Sequence, residues 1–445
     1  MSANARRGAV RGVCAVGFFR GLAAFWLFVA PMAICRSSAA ASPPAAKTQT
    51  GSGLSPAVSA AILDMRTTLA RIRGHEFKAT VPVSTLSEPE VRAFLLGKLE
   101  KDYPDEKIAA EQKAYVHFGF LKPDEDLKGL FIQMLSEQAA GFYDPDEKRL
   151  FLVSGKAFPG IALVHELAHA LQDQTFGVTA IIDKSRGNDD ALLAVQSMIE
   201  GEAMALTSKY STMRPGSEEL AGIVGPEVEP ETSARETLEK LGRMPDILQE
   251  NLMFPYSQGM TFANNVTKSG GVPMMDELFR HPPESSEQIL HPEKIQEPRD
   301  RPSEIEPALM TSLVKSLESS GYRHVKTNTL GEFNLGQLFG GRGDERASSA
   351  AAGWDGDLYA IVERQGAGTG MIWITVWDSE GDASEFGQRV SGWMQARHPD
   401  SSGWLSLTPA GMPRVVCLME GFQPDVAARL KAALDSGLAA GVRIR

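Results

Sequence analysis

Residues 160 to 174 constrain this chain more than any other stretch. Val164, Leu167, Ala168 and Leu171 recur at i, i+3, i+4 and i+7, the apolar stripe of a helix, and leave His165 and His169 together on the flank beside it. Histidines four apart stand one helical turn apart on one face. Both imidazoles can then reach a single tetrahedral Zn2+, with Glu166 between them beside the water that such an ion activates. The expectation is one zinc ion per chain, bound at the wall of a cleft.

Zinc needs a third protein ligand and an open fourth position. Of three cysteines, Cys14 and Cys35 lie at the extreme N-terminus and only Cys417 remains, while the other histidines are scattered. The best source is a second long helix, about Ala191 to Tyr210. There Glu200 and Glu202 sit among Leu192, Val195, Ile199, Ala203 and Leu206, and carboxylates rarely enter such surroundings unpaired. Spacing alone leaves both glutamates open. His291, in a loop before Pro292, is a further candidate contact for substrate or oxyanion.

The order of these features resembles a known family. An HExxH helix, then Glu200-Gly201 on a second helix, then Tyr256-Ser257-Gln258-Gly259 is similar to the gluzincin clan of zinc metallopeptidases, in particular its aminopeptidase-N-like and peptidase-MA-like members, here in a bacterial exported form. The resemblance covers roughly residues 140 to 280. It implies a mainly helical zincin-like catalytic domain, zinc on His165, His169 and Glu200, Glu166 as general base and Tyr256 steadying the oxyanion. The gap from His169 to Glu200 exceeds the family's usual spacing, so an inserted loop at Asp183 to Asp190 is expected. The acid that commonly follows the third ligand by one turn is replaced by Ala203 and Met204, and Asp173 or Asp190 is expected to orient an imidazole instead. The Gly-rich exopeptidase signature is missing upstream, which favours an endopeptidase over an amine-trimming enzyme.

The rest of the chain organises around this core. Arg6, Arg7, Arg11 and Arg20 precede the apolar run Gly21 to Ile34 and the small residues Ser38 to Ala41, a secretory signal layout assigned to residues 1–41. The run is short for crossing about 30 Å of hydrocarbon, so cleavage is expected. Membrane attachment then follows only from an uncleaved segment or from lipid on Cys35. Residues 42–59, rich in Pro, Ser and Gly, read as a flexible leader. The metallopeptidase domain is placed at 60–298, with helices at about Val91 to Lys101 and Leu127 to Leu135. A small upstream β-hairpin is expected around Asp144-Pro145-Asp146, with a third apolar helix at about Tyr256 to Lys268, after a loop at Pro255. Strand Leu150 to Val153 is expected to offer a free edge to an extended peptide. Residues 299–310 read as a linker, and 311–445 as a smaller C-terminal α+β domain of unknown role. In it Ile372, Ile374 and Val376 alternate with Trp373, Thr375 and Trp377, a strand with two different faces, its tryptophans in the core. The fold class is α+β.

Removing residues 1–41 leaves 40 basic against 56 acidic residues, a net charge of about −16, which does not suit nucleic acid or anionic lipid. The partner expected is a peptide or protein substrate, met in the periplasm or outside the cell. Two other classes fit the same motif: a catalytically silent zincin-fold binding or scaffold protein, and a zinc hydrolase of a non-peptide amide. An acid between the ligands argues against the silent form, because a structural site closes with four protein ligands and needs no base.

Overall fold

The computed structural model describes residues 56–138, 141–154, 160–214, 242–340, 349–400 and 403–445. The signal segment and the leader to residue 55 lie outside the described residues. The fold begins at α1 (Pro56–Arg73), slightly ahead of the boundary expected at residue 60, with a proline where the first helical turn needs no N–H. β1 (Val83–Leu86) follows, then α2 (Glu88–Asp102), α3 (Asp105–Phe118) and α4 (Leu127–Gln138). At the start of α2 the Ser87 N–H donates to Glu90 Oε2 at 2.8 Å, so the acid closes an orphan donor of the first turn.

β2 (Gly141–Asp144) and β3 (Arg149–Val153) form the expected hairpin. β1 adds as a parallel neighbour on the far side of β3, giving the order β1-β3-β2. β3 is therefore the central strand and has no free edge, contrary to expectation. Among the described residues the edge strands are β1 and β2. The Leu150 N–H donates to the Pro82 carbonyl at 2.9 Å and the Ser154 N–H to Leu86 at 2.7 Å, so these residues bond toward β1. Tyr143, opposite Leu150, turns its amide away from β3.

α5 (Gly160–Phe176) carries the two histidines and is followed by α6 (Val178–Ser185) and α7 (Asp189–Met213). Gly177, at φ 72°, makes the corner between α5 and α6, a conformation glycine adopts without a Cβ clash. The long spacing between His169 and Glu200 is thus filled by a helix and not by a loop at Asp183 to Asp190. Val178, Ile181 and Ile182 bury one face of α6 against α7, and the break shrinks to residues 186–188. α8 (Asp246–Arg280) likewise starts well before Tyr256 and passes through Pro255. Burial of Ile247, Leu248, Leu252 and Phe254 outweighs the roughly 3 kcal/mol that an interior proline costs. The interruption falls instead at Gly271, φ 65°. Met65 and Leu69 of α1, Leu150 and Leu152 of β3, Val164 and Leu167 of α5 and Leu206 of α7 share one core. The apolar stripe of α5 is spent there, which fixes the direction of its histidine flank.

α9 (Ser286–Leu290) leads into β4 (Glu304–Ile305), α10 (Pro307–Glu318), β5 (Tyr322–Asn328), α11 (Gly331–Leu338), β6 (Trp354–Arg364), β7 (Gly368–Trp377), α12 (Glu380–Arg397), β8 (Trp404–Leu407), β9 (Val415–Glu420), α13 (Pro424–Gly441) and β10 (Val442–Arg443). The antiparallel sheet β5-β6-β7-β9-β8 is covered on both faces. Ile372, Ile374 and Val376 meet α10 and α13, whereas Trp373 and Trp377 meet α12; Trp373 also lies 5.7 Å from Phe118 of α3, ring centre to ring centre. Both tryptophans are core. The chain is a mainly helical α+β protein.

Residues 299–310 are not a free linker. Ser303 donates its N–H and hydroxyl to Asp355 at 3.0 and 2.6 Å, and β4 pairs with β10. The two halves also interlock through charge. Lys326 of β5 is buried between Glu111 of α3 and Asp189, 2.7 Å from the latter, and Asn328 accepts the Asp189 N–H at 2.8 Å. The C-terminal sheet therefore grips the first turn of α7, the helix that carries Glu200.

Next to that grip, Asp190 is buried and accepts the Ser286 N–H at 3.1 Å; burial pushes its pKa up to about 8. A carboxyl raised in this way binds its proton more tightly folded than unfolded. Its contribution to stability is complete below its ordinary value of 3.8 and is lost as the pH rises through about 8. Asp190→Asn, which cannot ionise, is therefore expected to melt progressively higher relative to the native protein as the pH goes from 5 to 8. A difference in melting temperature that does not vary with pH would show that Asp190 is charged in the folded state.

Candidate metal centre

α5 and α7 pack side by side, and their ligand residues meet at the contact. His165 Nε2 lies 3.1 Å from Glu200 Oε2, His169 Nε2 lies 3.3 Å from Glu200 Oε1, and the two Nε2 atoms are 3.0 Å apart. The three residues are buried, and one ligand atom from each falls within 4.8 Å of the others. A carboxylate held between two buried imidazoles is stabilised by a shared proton or cation. Burial opposes charge on His169, but the Glu200 carboxylate overcomes it and lifts the imidazole pKa to about 9. Glu200 in turn is held down at about 2 by His169 and His165, against the upward pull of burial. A divalent ion would take over the role of that proton, and two imidazoles with one carboxylate suit zinc.

Of the two glutamates left open by spacing, Glu200 is the one at the centre. Glu202 faces the other way, 2.5 Å from Arg73 Nε, and Arg73 Nη2 reaches Asp276 Oδ1 at 2.7 Å. Neither Asp173 nor Asp190 orients an imidazole. Asp173 accepts the Tyr143 hydroxyl at 2.9 Å, and Asp190 lies about 15 Å along α7 from Glu200, at 1.5 Å per residue. The residue that does so is Gln172. Its Oε1 lies 2.9 Å from His169 Nδ1, while its Nε2 donates to the Ile199 carbonyl at 2.8 Å and to Glu202 Oε2 at 3.0 Å. With the amide committed as a donor on one side, Oε1 must accept from Nδ1–H, and Nε2 of His169 is left free to bind a metal. The i+3 spacing from His169 to Gln172 is the sequence signal for this role.

Glu166 points into the same space. Its Oε2 accepts the outward-turned Tyr143 N–H at 2.7 Å, while Oε1 is buried and has no hydrogen-bond partner among the described residues. Burial raises its pKa to about 8, against the opposing pull of His169 and the Tyr143 amide. Tyr256 arrives from α8: its ring centre lies 6.4 Å from that of His165, and its hydroxyl is buried without a partner among the described residues. Two glycines allow this approach. A Cβ on Gly201 would stand 2.0 Å from the Gly259 carbonyl oxygen, and one on Gly259 would stand 2.2 Å from that of Ser197. Backbone packs on backbone there, and Tyr256, one turn before Gly259, is laid over the ligands. His291 is not brought to this centre. It ends α9 and pairs with Glu332 of α11 at 3.0 Å, as part of the seam with the C-terminal sheet. A small cleft, lined also by Val178, Ile182 and Ile199, opens beside His169 and Glu200.

A family described only as a domain of unknown function (DUF8575) matches residues 318–416, the stretch from the end of α10 into β9. That match covers most of the C-terminal sheet and none of the metal centre. No curated protein and no solved structure matches the chain.

Proposed function

We propose that this protein is a zinc-dependent metallopeptidase of gluzincin type, an endopeptidase acting outside the cytoplasm. The observation that carries the reading is the buried His165, His169 and Glu200 triad with an unpartnered oxygen of Glu166 beside it. A zinc ion held by those three residues would supply Lewis acidity, activating a water at neutral pH and polarising the scissile carbonyl. Glu166 Oε1 would take the proton of the attacking water and pass it to the leaving amine. The Tyr256 hydroxyl donates to the oxyanion as charge develops on it.

The export assignment rests on the N-terminal arginines and apolar run; among the described residues no helix is long and apolar enough to cross a membrane. Metal removal tests the reading as a whole. The purified protein is expected to contain about one zinc per chain, to cut an unfolded protein substrate, to stop cutting when a chelator strips the metal, and to recover when zinc is restored. Cleavage that survives complete zinc removal would sink the zinc assignment, and a zinc-loaded protein that cuts no peptide bond would sink the peptidase.

A further inference from the structure

Tyr143 of β2 touches one face of α5 at two points. Its N–H donates to Glu166 Oε2 at 2.7 Å, and its hydroxyl donates to Asp173 Oδ2 at 2.9 Å. Glu166 and Asp173 are seven residues apart, two turns or about 10.5 Å of rise, so they stand in line on the side of α5 that meets β2. The ring lies in the core that holds Leu150, Leu152, Val164 and Leu167, surroundings that would suit a phenylalanine as well. A hydroxyl is tolerated there because Asp173 accepts it. The β2–β3 ladder does not hold the Tyr143 N–H, since Tyr143 sits opposite Leu150 at a pair whose amides turn away from each other. What the ladder leaves unfixed the side chain can fix: only two torsions separate the backbone from the ring, so the hydroxyl and the amide of one tyrosine keep a nearly constant geometry.

We infer that Tyr143 is a positioning residue for the general base, an inference that rests on the peptidase reading above. Its hydroxyl, anchored on Asp173, sets where its amide stands along α5, and that amide holds Glu166 Oε2. Oε1, buried with no hydrogen-bond partner among the described residues, is thereby left available for the proton of the water. A glutamate has three side-chain torsions, and without the anchor Oε1 would be spread over several rotamers. Tyr143 acts through Glu166 and takes no part in the proton transfer itself.

The test uses the zinc-loaded full chain and an unfolded protein substrate. Tyr143→Phe, which deletes only the hydroxyl, is expected to keep its zinc and a native KM and to lose about 10- to 100-fold in kcat, the scale of a misplacement near 1 Å. Asp173 also accepts the Val178 N–H at the start of α6, so Asp173→Ala is read only within a cycle with Tyr143→Phe. In the Asp173→Ala background Tyr143→Phe is expected to change kcat by less than about 2-fold. Asp173→Asn keeps an acceptor oxygen and is expected to recover most of what Asp173→Ala loses. A second readout, apart from activity, follows the amide itself. Of the seven tyrosines, the isotope-labelled Tyr143 amide is the signal missing from Tyr143→Phe. Its hydrogen exchange is expected to quicken about 10- to 100-fold in Asp173→Ala and to stay near native in Asp173→Asn. Zinc content and melting temperature show whether each variant is folded. Equal losses from Tyr143→Phe in both backgrounds, a Tyr143→Phe protein with native kcat, or an amide that Asp173→Ala leaves protected overturns the positioning role and leaves the peptidase standing. A zinc-loaded native protein that cuts nothing removes the peptidase, and with it any part for Tyr143 in the reaction, whatever the amide does.

Discussion

Glu166→Gln is expected to load zinc like the native protein and to lose about 10²- to 10⁴-fold in kcat, the contribution of a positioned general base, or about 3–5.5 kcal/mol of barrier. The substitution is nearly isosteric, and the amide oxygen can still accept the Tyr143 N–H that Oε2 accepts now. What it removes is the ability of Oε1 to take up a proton. That oxygen is buried with no hydrogen-bond partner among the described residues, an expensive arrangement for a group with only a structural role. The measurement is single-turnover cleavage of an unfolded protein substrate beside a zinc assay. Retained zinc with near-native cleavage would remove Glu166 from the mechanism.

The second large effect concerns Arg73, at the last position of α1. It is buried between Glu202 and Asp276, and it lies over the Phe176 ring at 5.5 Å. Arg73→Met keeps the stem and deletes the charge, leaving a buried carboxylate at Glu202 without its cation. Breaking a buried pair from one side costs about 3–5 kcal/mol, readable as a lowered urea midpoint. The damage should also reach the metal. Glu202 is one of the two acceptors holding the Gln172 amide, and Gln172 sets the tautomer of His169, so zinc affinity is expected to fall about 10- to 100-fold, the usual effect of removing outer-shell support. Adding Glu202→Gln to Arg73→Met should restore part of the stability, because no bare charge then remains at that position. A single variant with native stability and native zinc affinity would show that the chain from Arg73 to His169 carries no energy.

Local periodicity makes much of this protein legible in its sequence. The α5 stripe, the alternation in β7, the hairpin at Asp144-Pro145-Asp146 and the helix at about Val91 to Lys101 are properties of a few consecutive residues, which is why each is found close to where the sequence places it. The pairing of His165 with His169 is of the same kind, since four residues of helix put them on one face. Expectation and structure part where a distant partner decides the outcome. Pro255 stays helical because the residues before it are buried, and α6 is helical because Ile181 and Ile182 find α7. β3 loses its edge to a strand lying more than sixty residues upstream.

The site divides along the same line. Sequence alone determined that two imidazoles and a carboxylic acid share one helical face, and that a carboxylate on a second buried helix stands available to them. Only the tertiary structure decided that Glu200 faces them and Glu202 does not, because that choice depends on Arg73 and Asp276 claiming the second carboxylate from helices far away in the chain. It also decided that Tyr256 overlies His165, through the close approach of Gly201 and Gly259, and that Gln172, not an aspartate, orients His169. The physical reason is common to all three. A helix specifies which of its side chains point the same way, but which neighbour they meet is settled by how whole helices pack.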